Sequence, residues 1–123
     1  MRIIAGKANR KALVTLPGEE ITRPTIERVK EGMFSAIQFD VPGATVLDLF
    51  AGTGQLGIEA LSRGAKSAVF VDEQNDTCCL IRENLKRTKL EQNASVIRAD
   101  YLDYLKRCRE KFDVVTARAV AAL

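Results

Sequence analysis

The stretch LDLFAGTGQLG, residues 47–57, constrains the chain more than any other. Val46, Leu47, Leu49 and Phe50 form an apolar run that passes directly into Gly52, Gly54 and Gly57, spaced G-x-G-x-x-G. Such a run reads as a buried strand, and glycines at this spacing let the backbone turn tightly from strand into helix. The first two permit positive φ and close approach of a ligand to the backbone, while Gly57 lets the helix pack close to the sheet.

The rest of the chain repeats that unit. ATVLDLF reads as a strand, QLGIEALSRG as a helix stopped by Gly64, and SAVFVD as a second strand ending at Asp72. QNDTCCLIRENLKRTKL, ASVIRAD, YLDYLKRCREK and FDVVTA continue as helix, strand, helix and strand. Alternation of this kind implies right-handed crossovers and a mainly parallel sheet with helices on both faces, an α/β Rossmann-like fold. Upstream, residues 2–16 alternate weakly and end in the turn signal LPGEE, which predicts a β-hairpin or extended arm. TRPTIERVKEGMFSAIQ then predicts a helix with Thr25 as its N-cap, and with Ile26, Val29, Met33 and Ile37 as an apolar face packed on the sheet. The organisation expected is one domain over residues 1–123, with an arm at 1–24, a helix at 25–40 and the Rossmann-like core at 44–123.

Composition removes several chemistries. The 123 residues include no histidine, so neither a His-based nucleophile pair nor a credible zinc set is available. Three cysteines, with Cys78 and Cys79 adjacent on a predicted helix, make a poor disulfide framework and read as reduced thiols. Catalysis in such a chain has to run on carboxylates, backbone groups and a borrowed cofactor. No apolar run approaches the roughly 18 residues of a membrane span, and MRIIAGKANRK has no signal core, so a cytoplasmic location is expected.

The net charge of +3 is unevenly placed. Residues 1–16 hold four of the 19 basic side chains, Arg2, Lys7, Arg10 and Lys11, and none of the 16 acidic ones, which leaves 15 basic against 16 acidic elsewhere. A basic arm of this kind suits a phosphate backbone.

Asp72 lies 20 residues after Gly52, at the tip of the second predicted strand, where a carboxylate can accept from both ribose hydroxyls. The pattern therefore points to a nucleoside. Asp48, four residues before Gly52, would repel a pyrophosphate but can hold, directly or through water, the cationic amino group of a methionine moiety. Asp100 closes the third strand and could accept from the exocyclic amine of adenine, although a helix cap is an equally ready reading of it. Three acids around one glycine loop fit S-adenosylmethionine better than a dinucleotide. A nicotinamide-dependent oxidoreductase shares the glycine spacing, but Asp48 and the shortage of acid/base side chains argue against it.

MRIIAGKANRKAL, TRPTIERVKEGMFSAI, LDLFAGTGQLGIEALSRGA, AVFVDE and KFDVV together resemble the bacterial 16S ribosomal RNA guanine-N2 methyltransferases of the class I fold. The resemblance covers about residues 1–115, and the TRPT segment combined with DLFAGTG is its most specific part. It implies in-line methyl transfer from S-adenosylmethionine to a guanine exocyclic amine, with S-adenosylhomocysteine as product and 16S rRNA or an assembling small subunit as partner. It assigns cofactor contacts to Asp48, Phe50, Ala51, Gly52, Gly54, Asp72, Glu73, Asp100 and Tyr101. Arg23, Thr25 and Arg28 would sit at the rim near the target nucleotide, and the arm, with Arg2, Lys7, Arg10 and Lys11, would grip RNA.

The resemblance fails at one place. The family's fourth strand runs into Asp-Pro-Pro-Tyr, which receives the target base, whereas Arg118, Ala119, Val120 and Ala121 stand there in this chain. Arginine cannot accept amino protons, and neither Ala119 nor Val120 fixes the backbone as proline does. FDVVTARAVAAL is instead similar to a segment of the 16S rRNA guanine-N7 methyltransferases, which raises a chimera, a frameshifted product or a shortened chain. A chain truncated after the fourth core strand, with strand order 3-2-1-4 by analogy, would expose that strand as an edge. The expected consequence is a homodimer through the edge, or a short helix over ARAVAAL that covers it. An inactive module that still binds the cofactor is the alternative to an active enzyme.

Overall fold

The computed structural model describes residues 3, 5–8, 13, 24–49 and 51–117, with the side chains of the first helix described from residue 28 onward. Its elements are helix α1 (Pro24–Ala36), strand β1 (Thr45–Leu49), helix α2 (Gln55–Ser62), strand β2 (Ser67–Asp72) and helix α3 (Asn75–Thr88). A 3-10 turn (Glu91–Asn93) leads to strand β3 (Ala94–Arg98), helix α4 (Tyr101–Arg107) and strand β4 (Val114–Ala117). The four strands form one parallel sheet in the order β3-β2-β1-β4, which is the α/β Rossmann-like arrangement that the alternating pattern predicts.

Register fixes what each face carries. Asp48 of β1 lies opposite Phe70 of β2 and Thr116 of β4, while Leu47 lies opposite Val69 and Val115. Since side chains alternate along a strand, these two sets point to opposite faces. On one face Val46, Ala68 and Phe70 join Phe34 of α1, Ile58 and Leu61 of α2, and Ile81 and Leu85 of α3 in the larger core. On the other, Leu47, Leu49 and Val71 pack with Tyr101 and Tyr104 of α4 and with Phe112. β1 is central and buried from Val46 onward, as its continuous apolar run requires.

Helix ends follow the local chemistry. Beyond α2, Gly64 at φ 102° lets its N–H reach the Leu61 carbonyl at 3.1 Å while Ala65 N–H reaches that of Ala60 at 3.0 Å, so the helix stops where the sequence says. β4 is held to the foot of β1 by Asp113, whose N–H donates to the Thr45 carbonyl at 2.9 Å and whose Oδ2 accepts from Thr45 N–H at 3.0 Å. Among the described residues β4 pairs with β1 alone, and Val115 is 57% exposed, the open edge on which the expectation of self-association rests. Arg118 to Ala121 and the short helix expected over ARAVAAL lie outside the described residues.

The first helix corrects two expectations. Pro24 is the first residue of α1, so Thr25 lies inside the helix and is not its N-cap; proline's fixed φ and missing N–H suit that opening position. The face of α1 turned to the protein is also different: Val29 and Met33 are 59% and 42% exposed, whereas Lys30 and Phe34 are buried and Ile37 is half-buried. The cause is a charge network. Lys30 Nζ lies 3.4 Å from Glu59 Oε1, Arg63 Nε lies 2.9 Å from Glu59 Oε2, and the Arg63 guanidinium stacks 5.0 Å from the Phe34 ring centroid. Burying Lys30 against Glu59 turns the helix away from its most apolar stripe.

The same end of α2 anchors the described part of the N-terminal arm. Ala5 N–H donates to Glu59 Oε2 at 3.1 Å, Lys7 N–H to the Ser62 carbonyl at 2.8 Å and Ala8 N–H to Ser62 Oγ at 2.9 Å. Ile3, Ala8 and Leu13 are buried in the larger core. Most of the hairpin or arm expected for residues 1–24 lies outside the described residues. No helix among the described residues is long and apolar enough to cross a membrane.

Candidate functional site

The glycine loop sits at the carboxyl end of the central strand, between β1 and α2, where open α/β sheets bind ligands. Gly52 and Gly54 adopt φ 57° and 81°, the left-handed region that their positions were expected to need. The turn is closed by Gly54 N–H donating to the Ala51 carbonyl at 2.8 Å, and Ala51 N–H reaches the Val71 carbonyl at 3.3 Å. The loop is thereby laced to the tip of β2.

Two of the three predicted acids bear directly on this loop. Asp48 is fully buried, and its Oδ2 accepts from Gly57 N–H at 3.0 Å, in the first turn of α2, where backbone donors have no helical partner and a negative charge is favoured. Asp72, half-buried at the tip of β2, accepts from Gly52 N–H at 3.4 Å through Oδ2 and from Gln74 N–H at 3.0 Å through Oδ1. Ala99 N–H donates to the Asp72 carbonyl at 3.0 Å, which ties the tips of β2 and β3 together. Asp100 is the N-cap of α4, its Oδ2 accepting from Leu102 N–H at 3.1 Å and Asp103 N–H at 3.3 Å.

Between those tips lies a cavity of about 290 Å³ lined by Val71, Asp72, Glu73, Gln74, Ala99, Asp100 and Tyr101. Four of the sequence-predicted cofactor contacts, Asp72, Glu73, Asp100 and Tyr101, thus share one wall. Ala51, Gly52 and Gly54 are in the adjoining loop, Asp48 lies beneath it, and Phe50 is outside the described residues. Of the predicted RNA contacts Lys7 and Arg28 are exposed, whereas Arg2, Arg10, Lys11 and Arg23 are outside the described residues. Among the described residues no group of His, Cys, Asp or Glu side chains is placed to hold a metal ion.

Cys78 is fully buried under the site, its Sγ 3.5 Å from the Asp72 carbonyl. Burial first, and then the Asp72 carboxylate, push its thiol above the usual range, which makes it a poor nucleophile at neutral pH. Two contributors escape sequence reasoning. Gln74 offers Asp72 a backbone N–H, which no side-chain pattern advertises, and Asn84 reaches the loop from the middle of α3, where a buried asparagine looks like any polar helix residue.

A protein-family model described as conserved hypothetical protein 95 matches residues 1–117. Ribosomal RNA small subunit methyltransferase D of Haemophilus influenzae is 39% identical over 118 residues, covering 94% of this chain and 61% of that protein. The protein of the same name from Escherichia coli K12 is 34% identical over 105 residues, covering 85% of this chain and 52% of that protein. A solved structure of a hypothetical protein from Thermus thermophilus superposes with a TM-score of 0.82 at 30% identity, over 95% of this chain and 67% of that one. The chain spans between about half and three-fifths of the length of these two curated relatives. With a match that runs from the basic arm through β4, the chain belongs to the conserved hypothetical protein 95 family, the family of these ribosomal RNA small subunit methyltransferases.

Proposed function

We propose that this chain forms the cofactor-holding part of an S-adenosylmethionine-dependent methyltransferase that acts on a guanine exocyclic amine of 16S rRNA. The observation that carries the reading is Asp72, which lines the cavity while holding the glycine loop through Gly52. The donor set fits the cofactor. A carboxylate offers about four acceptor sites, so Asp72 keeps capacity for the ribose hydroxyls after its two backbone bonds. Both capping bonds of Asp100 fall on Oδ2, which leaves its carboxylate able to accept from an adenine amine. Asp48 of β1, buried against the start of α2, would supply the negative charge for an ammonium, and no pyrophosphate would be favoured above it.

When bound, S-adenosylmethionine supplies an electrophilic methyl group on a sulfonium centre. Of this chain's residues, Asp72 and Asp100 would hold the nucleoside, and the glycine turn would let it approach the backbone. Catalysis on this plan is chiefly positioning, since a nucleophile aligned with the methyl needs no covalent enzyme intermediate. Cofactor retention without transfer is the second reading, favoured by Arg118, Ala119, Val120 and Ala121 in place of the family's Asp-Pro-Pro-Tyr.

Calorimetric titration with S-adenosylhomocysteine tests the Asp72 assignment. Asp72→Ala is expected to weaken binding by about tenfold or more, the range for losing hydrogen bonds to a charged group. Unchanged affinity would refute it. The basic arm is tested with RNA: replacing Lys7, Arg10 and Lys11 by alanine should flatten the salt dependence of RNA binding by about one logarithmic unit per lost phosphate contact. An unaltered slope would show that the arm is not the contact surface.

A further inference from the structure

We propose that Asn84 is a positioning residue for the cofactor site, one that sets the height of the glycine turn relative to Asp72. The inference rests on the reading of that turn as the S-adenosylmethionine site. Helix α3 starts at Asn75, just beyond the lead-in from Asp72 to Gln74, and runs beneath the loop. Ile81 on α3 stands under Gly54, its Cγ2 only 3.2 Å from where a Cβ on that glycine would lie. Three residues further along the same face, Asn84 is fully buried and its Nδ2 donates to the Thr53 carbonyl at 3.0 Å.

That bond falls at the most demanding point of the loop. Thr53 is itself fully buried and stands between two left-handed glycines. The peptide unit that joins it to Gly54 is held on both sides, its carbonyl by Asn84 and its N–H by the Ala51 carbonyl at 2.8 Å. A peptide is a rigid plane, so fixing both groups fixes the rotation of the turn. The other end of α3 governs Asp72, through Gln74 N–H on Oδ1 and Cys78 Sγ near its carbonyl. One helix therefore braces the β2-tip carboxylate at its N-cap and first turn and clamps the turn from Asn84, and its rigidity sets their separation. Asn84 is not among the residues lining the cavity, so it acts through Thr53.

Asn84→Asp tests this because it keeps the shape and makes the donor depend on pH. Ionised, the new carboxyl cannot donate and faces the Thr53 carbonyl; protonated, its O–H can donate again, and burial raises the pH at which that happens. At about pH 8 the variant should bind S-adenosylhomocysteine roughly tenfold more weakly than the wild type. As pH falls towards about 5.5 its affinity should recover towards the wild-type value, while that of the wild type stays nearly level. A residue that only stabilised the fold would shift the melting temperature and leave the affinity of the folded protein unmoved. If Asn84→Asp does not fold at high pH, Asn84→Ala, which removes the donor without adding charge, is titrated at low temperature and should show the same loss. Wild-type affinity in both variants, with the wild type itself binding, overturns the role of Asn84 alone. Absence of binding by the folded wild type overturns the underlying cofactor reading and this inference with it.

Discussion

Glu59→Ala is expected to destabilise the protein by about 3–5 kcal/mol, the range for removing one partner from a buried ion pair. Glu59 is fully buried on α2 and gathers three partners: Lys30 of α1 at 3.4 Å, Arg63 at the C-cap of α2 at 2.9 Å and the Ala5 N–H of the arm at 3.1 Å. Deleting the carboxylate removes the negative charge 3.4 Å from the Lys30 ammonium, which is only 3% exposed. The loss would consume much of the roughly 5–15 kcal/mol that stabilises a typical domain. Urea denaturation followed by circular dichroism reads it directly. Lys30→Met combined with Glu59→Leu should recover most of the loss, because a well-packed apolar pair can replace a buried ionic one. A single Glu59→Ala variant as stable as the wild type would show that the network does not hold α1 and the arm in place.

Gly57→Ala is the second large effect, expected at about 1–3 kcal/mol of lost stability and accompanied by weaker cofactor binding. In an exposed helix the change would be favourable by roughly 1 kcal/mol, since alanine is the better helix former. Here an added Cβ would lie 2.4 Å from Phe70 Cε2 and 2.7 Å from its Cζ, with Asp48 Oδ2 at 3.1 Å. Phe70 and Asp48 are both fully buried, so neither can yield without disturbing the sheet or the start of α2. The clash should outweigh the propensity gain, and α2 should be pushed off β1 and β2 at the point where Asp48 holds Gly57 N–H. Thermal denaturation of the variant decides the sign. A raised melting temperature would mean that the helix does not approach the sheet as closely as described.

Much of this architecture was legible because local and tertiary demands agree. β2 runs over the residues that its apolar pattern marks, α2 ends just before Gly64, which takes a positive φ, and the loop glycines adopt the conformations that glycine takes readily. Asp72 at the tip of β2 and Asp100 just beyond β3 line the cavity, as carboxylates that follow buried strands can, whereas Asp48 is fully buried within β1 and is bonded to Gly57 N–H instead. α1 was less legible. Its apolar repeat at Ile26, Val29 and Met33 is real, but the helix is oriented by Lys30 finding Glu59 and by Arg63 stacking on Phe34, pairings that join residues about 30 positions apart and leave no periodic trace. Asn84 was hidden similarly: its importance comes from a backbone carbonyl 31 residues earlier, and backbone acceptors are the same in every sequence. For Asp100 the helix-cap reading holds, since the residue caps α4, and its carboxylate also lines the cavity.

Asp48, Asp72, Asp100 and the glycine turn, as proposed, form a site for S-adenosylmethionine and not for a pyrophosphate-bearing dinucleotide. The direct measurement is calorimetric titration of the folded chain with S-adenosylhomocysteine and, separately, with NAD. Micromolar binding of S-adenosylhomocysteine and none of NAD is expected, because Asp48 favours an ammonium and opposes a pyrophosphate at the start of α2. Binding of NAD, or a folded chain that takes up neither ligand, would contradict it.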